Sequence, residues 1–313
     1  MNATIPVITM LAGFGLTWLL LKLQLPFLPR DHGRAFAVNG TLSKGKLRGV
    51  GLVFMAVFLL LAAVNGPMDR ELVINLVLLA ITTLAGYLDD AALVPWGEYR
   101  KGAIDLGVSI AATVNFIAAH GTQIRLFGLV LELPYVVYLI LGTVLVWAAI
   151  NVTNCADGVD GLCASLVILS GLSFAFLFPE ALGAMAGGTW ILAAILAAYL
   201  CFNASPSSML MGDAGSRPLG LFLAILAMRS GHPFAYLLLS AILILDGGLG
   251  LFKISVIRFL KWKNFLHELR TPIHDELRAK RGWSDTQVVS RYMILQGVLS
   301  AICALLLRLG GTP

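Results

Sequence analysis

The chain has 313 residues, 58% of them hydrophobic and 12% charged, with a mean hydropathy of +0.88 and a formal net charge of +5. A soluble domain carries about 25% charged residues. The composition therefore excludes a soluble globular enzyme, a disordered protein and a free nucleic-acid binder, and it implies a polytopic membrane protein.

A helix crosses a bilayer in about 20 residues, and apolar runs of that order recur along the chain. They lie at Met1–Leu21, Gly49–Met68, Leu72–Leu88, Leu106–Arg125, Leu133–Ala156, Leu162–Pro179 and Ala181–Gly212. A shorter run at Pro218–Met228 follows, then Gly231–Leu245 continuing past Asp246 to Ile257, then Tyr292–Leu307. Ten helices are expected. The first run has no basic flank and no small-residue cleavage site, so it reads as a retained span and not a removed signal. Ile124, Leu126, Leu129 and Leu131 alternate within 123–134, which suggests a small β-hairpin. The expected fold is an all-α polytopic membrane protein of about ten transmembrane helices, with residues 1–313 forming a single integral-membrane domain.

Lysine and arginine set the orientation. The loops after odd-numbered helices hold 16 basic residues, and those on the other side hold four: Arg70, Arg125, Arg229 and Arg308. Positive residues remain in the cytoplasm, so the odd-numbered loops are expected there and both termini outside.

Five of the 17 acidic residues fall on that same face. Asp89 and Asp90 end the third run, Asp157 and Asp160 follow the fifth, and Asp213 follows the seventh. At or just past helix C-termini, the macrodipole would disfavour each by roughly 0.3–1 kcal/mol. Such a grouping needs a positive partner, and a hard divalent cation suits oxygen ligands. One acid pair at a helix end is ordinarily a solvated boundary, so the weight rests on the three clusters together. Gly158, Gly161, Gly212 and Gly215 flank them and permit turns whose N–H groups can approach phosphate.

The polar loop from Arg258 to Ser290 reads either as a basic collar on anionic lipid or as an anionic substrate site reached by His274. Lys22, Asp105 and Lys253 lie near helix ends, where they can snorkel. Asp246 is more interior and marks a break in the ninth helix. Ionisable residues within spans are functional suspects. The four cysteines form no CxxC pair and read as packing residues.

Four stretches, in this order, resemble the polyprenyl-phosphate N-acetylhexosamine-1-phosphate transferase superfamily. They are Gly86-Tyr-Leu-Asp-Asp90, then Asn151-Val-Thr-Asn-Cys-Ala-Asp-Gly-Val-Asp-Gly-Leu162, then Asn203 ahead of Met211-Gly-Asp-Ala-Gly-Ser216, then Pro272-Ile-His274 with Gly282-Trp-Ser-Asp285. The last favours the phospho-N-acetylmuramoyl-pentapeptide translocase branch, and the resemblance runs nearly end to end. It implies Mg²⁺-dependent transfer of phospho-N-acetylmuramoyl-pentapeptide from UDP to undecaprenyl phosphate, giving lipid I and UMP in peptidoglycan biosynthesis. The enzyme would lie in the bacterial cytoplasmic membrane with its active site on the cytoplasmic face. By the same resemblance Asp213 is the metal ligand, Asp89 and Asp90 are the catalytic pair, and Asn203 and His274 are further catalytic residues. Asn154, Asp157, Asp160, Ser216 and Lys44 would bind substrate. The implied partners are UDP-MurNAc-pentapeptide, undecaprenyl phosphate and the lipid bilayer, without nucleic acid; a homodimer is compatible.

The chain also departs from that pattern. Asp275 and Glu276 stand where two further histidines are usual, Leu93 replaces a lysine and Leu210 an aromatic. Lys44-Gly-Lys-Leu-Arg-Gly-Val-Gly51 is a reduced form of the early glycine-rich segment. The positive charge lost beside His274 is expected from Arg278, Lys280 or Arg281. Phosphoryl transfer depends mainly on positioning and charge neutralisation, which favours direct attack by the lipid phosphate over a covalent phospho-Asp intermediate. Two other readings compete: a sister transferase using UDP-GlcNAc or a related UDP-sugar, and a cation-coupled transporter. A transporter would place its acids at mid-span.

Overall fold

The computed structural model describes residues 4–33, 43–126 and 129–309. Arg34, counted among the basic loop residues, and the hairpin tip at 127–128 lie outside the described residues. In chain order the first elements are α1 (Thr4–Lys22), α2 (Gly51–Asn65), α3 (Arg70–Asp90) and α4 (Glu98–His120). The strands β1 (Gln123–Leu126) and β2 (Leu129–Glu132) follow, then α5 (Tyr135–Cys155), α6 (Leu162–Leu177), the single turn α7 (Pro179–Leu182) and α8 (Ala184–Asn203). The chain continues with α9 (Asp213–Arg229), α10 (Ala235–Leu239), α11 (Ala241–Leu243), a π-helical turn at Ile244–Gly248 and α12 (Leu249–Phe259). It closes with α13 (Ile273–Arg281) and α14 (Asp285–Leu309).

Among the described residues, α3, α4, α5, α8 and α14 are long and apolar enough to cross a membrane, and α1, α2 and α6 are apolar but shorter. The outward faces carry Leu11, Leu60, Val64, Val77, Leu84, Ile140, Val144, Ile294 and Val298, all exposed. Lipid tails are as apolar as leucine, so these faces suit a bilayer and not water. The fold is an all-α membrane architecture with one antiparallel hairpin, in which Ile124 pairs with Leu131 and Arg125 with Val130.

The axis of the bundle is α9. Every residue from Asp213 to Met228 is buried, and a helix that is apolar all round belongs in a core. It packs against α3 and α5 on its flanks and meets α2 and α6. The short run expected at Pro218–Met228 is therefore the inner part of a longer helix whose charged first turn is neutralised by its neighbours. At its far end Arg229 pairs with Glu71 of α3 at 2.6 Å, and Glu71 also contacts His120 of α4 at 2.9 Å.

Two expectations are overturned: Asp105, expected to snorkel, is buried and paired with Arg217, and the seventh apolar run is not one span. Ala181–Gly212 carries no charge and reads as one apolar run, yet the structure breaks it at Gly183 (φ +53) and ends the helix at Asn203. Ser205, Pro206, Ser207 and Ser208 then form a non-helical connection, because serines and proline favour turns over helix interiors. Asp213 thus opens α9 instead of trailing α8. It sits at a positive helix end, where the macrodipole favours a carboxylate. The expected break at Asp246 is present as the π-helical turn.

Candidate active site

The site forms where the end of α3 meets the start of α9. Gly86 of α3 lies against the backbone of Asp213 and Ala214, and a Cβ there would collide with it. Gly212, at φ +67, is held just as closely by the Asp90 carboxylate, which fills the place a side chain would take. This contact brings Asp89 and Asp90 beside Asp213. The Ala214 N–H donates to Asp90 Oδ2 at 3.1 Å, so Asp90 satisfies one of the unpaired amides at the start of α9.

Cations from three other segments enter the cluster. Arg48 Nε donates to Asp90 Oδ1 at 2.8 Å, Nη1 lies 3.1 Å from Asp31 Oδ1, and Nη2 lies 4.0 Å from Asp213 Oδ1. Burial alone would lower the Arg48 pKa, but Asp90, Asp213 and Asp31 outweigh it and raise it. Lys101 Nζ, from α4, is 2.7 Å from Asp89 Oδ2 and 3.2 Å from Asp213 Oδ2. The Trp96 N–H donates to Asp89 Oδ1 at 2.6 Å. Arg217 is paired with Asp105 and stands 3.9 Å from Asp213 Oδ2. Asn154 Nδ2 donates to Asp213 Oδ1 at 3.0 Å and to Ser216 Oγ at 2.8 Å. Asp89, Asp90, Asn154, Asp213 and Ser216 are thus brought together.

A second patch adjoins the first through the α5–α6 turn, on which Asp157 is half-buried. Asp160 accepts from Ser207 N and Ser207 Oγ, both at 2.8 Å, with Lys46 Nζ at 3.8 Å. Lys44 is exposed, and the cations of its segment that reach the acids are Lys46 and Arg48. Asn203 is buried, accepts from Gly161 N at 2.9 Å and donates to the Met209 carbonyl at 2.8 Å. It ties the start of α6 to the α8–α9 connection.

His274, on the first turn of α13, is also buried. Its backbone N–H and Nδ1 contact Asp246 at 2.7 and 2.6 Å, and Tyr292 Oη donates to the same carboxylate at 3.0 Å. Its Nε2 lies over Gly158, where a Cβ would strike it. Asp275 Oδ1 stands 3.9 Å from His274 Nε2 and 3.4 Å from Arg278, which is 2.9 Å from Asp285, and Lys280 stands 2.6 Å from Glu276. The Lys280 hydrogen bond and the Arg270 N–H hold the Glu276 carboxyl below its ordinary range.

Sequence reading passes over the roles of Arg48, Lys101, Arg217 and Asp246. A signal exists for two of them. Lys101 and Asp105 are spaced i,i+4, as are Asp213 and Arg217, and such pairs share a helix face. In the fold the two pairs interlock across α4 and α9, with Lys101 reaching Asp213 and Arg217 reaching Asp105.

Among the described residues no three carboxylate, histidine or thiolate groups converge into a ready-made metal cage. The donor chemistry nonetheless fits a hard divalent ion. Oxygens of Asp89 and Asp213 already share one cationic centre, the Lys101 ammonium, which stands in for such an ion. Asp89, Asp90, Asp105 and Asp213 meet Arg48, Lys101 and Arg217 here, so carboxylates and cations alternate around the start of α9. An apolar cavity of about 100 Å³, lined by Phe58, Leu72, Leu76, Met185, Ile191 and Phe222 among others, lies toward the opposite ends of these helices and holds none of the acids.

Residues 72–231, which carry the acids from Asp89 to Asp213, match the family model described as glycosyl transferase family 4. Fold and site together define a membrane-embedded transferase, and the chain belongs to glycosyl transferase family 4. It is similar to the phospho-N-acetylmuramoyl-pentapeptide-transferase of Treponema pallidum (strain Nichols), at 38% identity over 94% of this chain and 86% of that protein. Proteins of the same name match from Bartonella quintana, at 32% identity over 54% of this chain and 49% of that one, and from Synechocystis, at 25% over 95% and 83%.

Proposed function

We propose that this protein transfers phospho-N-acetylmuramoyl-pentapeptide from UDP to undecaprenyl phosphate, forming lipid I and releasing UMP. A phosphate oxygen of the lipid attacks the sugar-bound phosphorus, the P–O bond to the UMP phosphate breaks, and its electron pair leaves with UMP. One observation carries the reading: Asp89, Asp90 and Asp213 meet around cations at one end of a membrane helix bundle, beside Asn154 at the end of α5 and the turn that bears Asp157 and Asp160.

The lipid phosphate is already ionised at neutral pH, so the chain's task is alignment and charge neutralisation. Asp89 and Asp213 would hold Mg²⁺, which supplies charge compensation for the diphosphate and the departing UMP. Arg48 fixes Asp90, and Asn154 fixes Asp213. Asp246 presents His274 with its Nε2 toward the Gly158 turn, where the diphosphate of the sugar nucleotide would lie.

The bundle crosses the membrane ten times: α1 to α6, α8, α9, the broken unit α10–α12, and α14. The acid cluster faces the cytoplasm, on the side where the sequence expects 16 of the basic residues and where a UDP-sugar is available.

Purified full-length protein with Mg²⁺, undecaprenyl phosphate and each UDP-sugar in turn tests the reading through UMP release. Release with UDP-MurNAc-pentapeptide is expected, and turnover of UDP-GlcNAc alone moves the chain to the sister branch. Asp213→Asn should abolish release while the protein still inserts, and Asp89→Asn or Asp90→Asn should cost at least about 10²-fold. Near-wild-type release by Asp213→Asn at millimolar Mg²⁺ removes the metal assignment.

A further inference from the structure

The three cations of the acid cluster are held very differently. Arg217 is 3% exposed and paired with Asp105. Arg48 is clamped between Asp90 and Asp31, with Asp213 at 4.0 Å. Lys101 is 26% exposed at its side chain, and its two contacts are Asp89 Oδ2 at 2.7 Å and Asp213 Oδ2 at 3.2 Å. A lysine is a point charge on a four-carbon stem with freely rotating donors, while arginine's planar fork fixes its partners. Lys101 can therefore leave the gap between Asp89 and Asp213 without dismantling the fold. The oxygens it bridges are also those a hard divalent ion would take, and ammonium and metal cannot occupy the same gap.

We infer that Lys101 is an exchangeable counter-ion. It closes the Asp89–Asp213 gap when no metal is bound, a divalent cation displaces it, and the released ammonium becomes a partner for the phosphates of the sugar nucleotide. The inference rests on the metal reading of Asp213 given above and deepens it. It orders the binding events: metal first, which frees a second cation for the donor diphosphate.

The test uses the full-length protein in detergent, stripped of metal and titrated with Mn²⁺ while free Mn²⁺ is followed by electron paramagnetic resonance. Lys101→Met keeps the stem and removes the charge. It should bind Mn²⁺ about tenfold or more tightly than the wild type, because no competing cation must be moved from between two carboxylates. Its KM for the UDP-sugar should rise more than its KM for the lipid phosphate. A second measurement needs no variant: in the wild type, Mn²⁺ should speed acylation of Lys101 by an amine-reactive reagent, read by mass spectrometry. Unchanged or weaker Mn²⁺ binding by Lys101→Met, or Lys101 labelling that metal leaves alone or slows, overturns the exchange while the metal site stands. Mn²⁺ binding that Asp213→Asn does not weaken overturns the metal reading, and the exchange with it.

Discussion

Asp246 lies in the π-helical turn, 1% exposed, and receives hydrogen bonds from the His274 backbone, the His274 ring and Tyr292. The carboxylate at Nδ1 orients the ring, and Nε2 faces Gly158 with Asp275 Oδ1 at 3.9 Å. Asp246→Ala would leave these buried donors unpaired, which costs roughly 1–3 kcal/mol for each such group, and thermal unfolding in detergent would show the loss. Asp246→Asn keeps the size but offers a donor where an acceptor is needed. It should lower turnover while the KM for undecaprenyl phosphate stays the same, and Asp246→Glu should recover part of the rate. Gly158→Ala, whose methyl would strike His274 Nε2 without altering Asp246, should lower turnover in the same way, as should His274→Ala. The sequence marks Asp246 as out of place in an apolar run, but its partner lies 28 residues away across a loop, and no local spacing joins them. The loop misleads in a second way. Arg278 and Lys280, expected to replace the charge lost at Asp275 and Glu276, are paired with those same acids.

At the level of elements, sequence patterns that resemble chemistry turn out to be punctuation as well. Gly282 ends α13 in the left-handed conformation, at φ +66, as a C-terminal glycine does. Ser284 and Gln287 then cap α14 reciprocally, Gln287 N to Ser284 Oγ at 3.2 Å and Ser284 N to Gln287 Oε1 at 3.1 Å. The Gly-Trp-Ser stretch is thus readable from capping rules alone. The start of α9 is not, because its boundary is set by the Asp90 carboxylate from another helix. The interlock of α4 with α9 carries a stability prediction. Asp105→Asn leaves the Arg217 charge buried without its carboxylate, which should cost roughly 3–5 kcal/mol. Asp105→Leu combined with Arg217→Met should recover much of that, since both charges leave together. A double variant as unstable as Asp105→Asn would show that the pair is not what holds the two helices.

At the scale of the molecule, α9 is pinned near each end by an arginine to an acid of a neighbouring helix, Arg217 to Asp105 of α4 and Arg229 to Glu71 of α3. One end gathers the carboxylates and the other does not, so which end faces which compartment decides what the protein can do. Hydropathy and basic-residue bias lead to the proposed orientation without a structure, because both follow from the bilayer as solvent. The placement of Lys101 and Arg48 is not legible, because it depends on how the loops fold back onto the helix ends. Orientation can be tested through α3 alone. Its 21 residues span about 30 Å at 1.5 Å per residue, the thickness of the hydrocarbon core. Its flanks at Pro67 and Gly97 are both exposed. Gly97 has open space for a side chain and an ordinary φ of −63, so a cysteine there should be tolerated. Among the native cysteines Cys201 is exposed and Cys163 and Cys303 are buried, so the reporters belong in a background lacking Cys201. In intact cells Pro67→Cys should react with an impermeant thiol reagent, and Gly97→Cys should react only after the membrane is opened. Reaction of both from outside would mean that α3 does not cross. The reverse pattern would turn the acid cluster away from the compartment that holds UDP-sugars, and the proposed transfer would then have no donor.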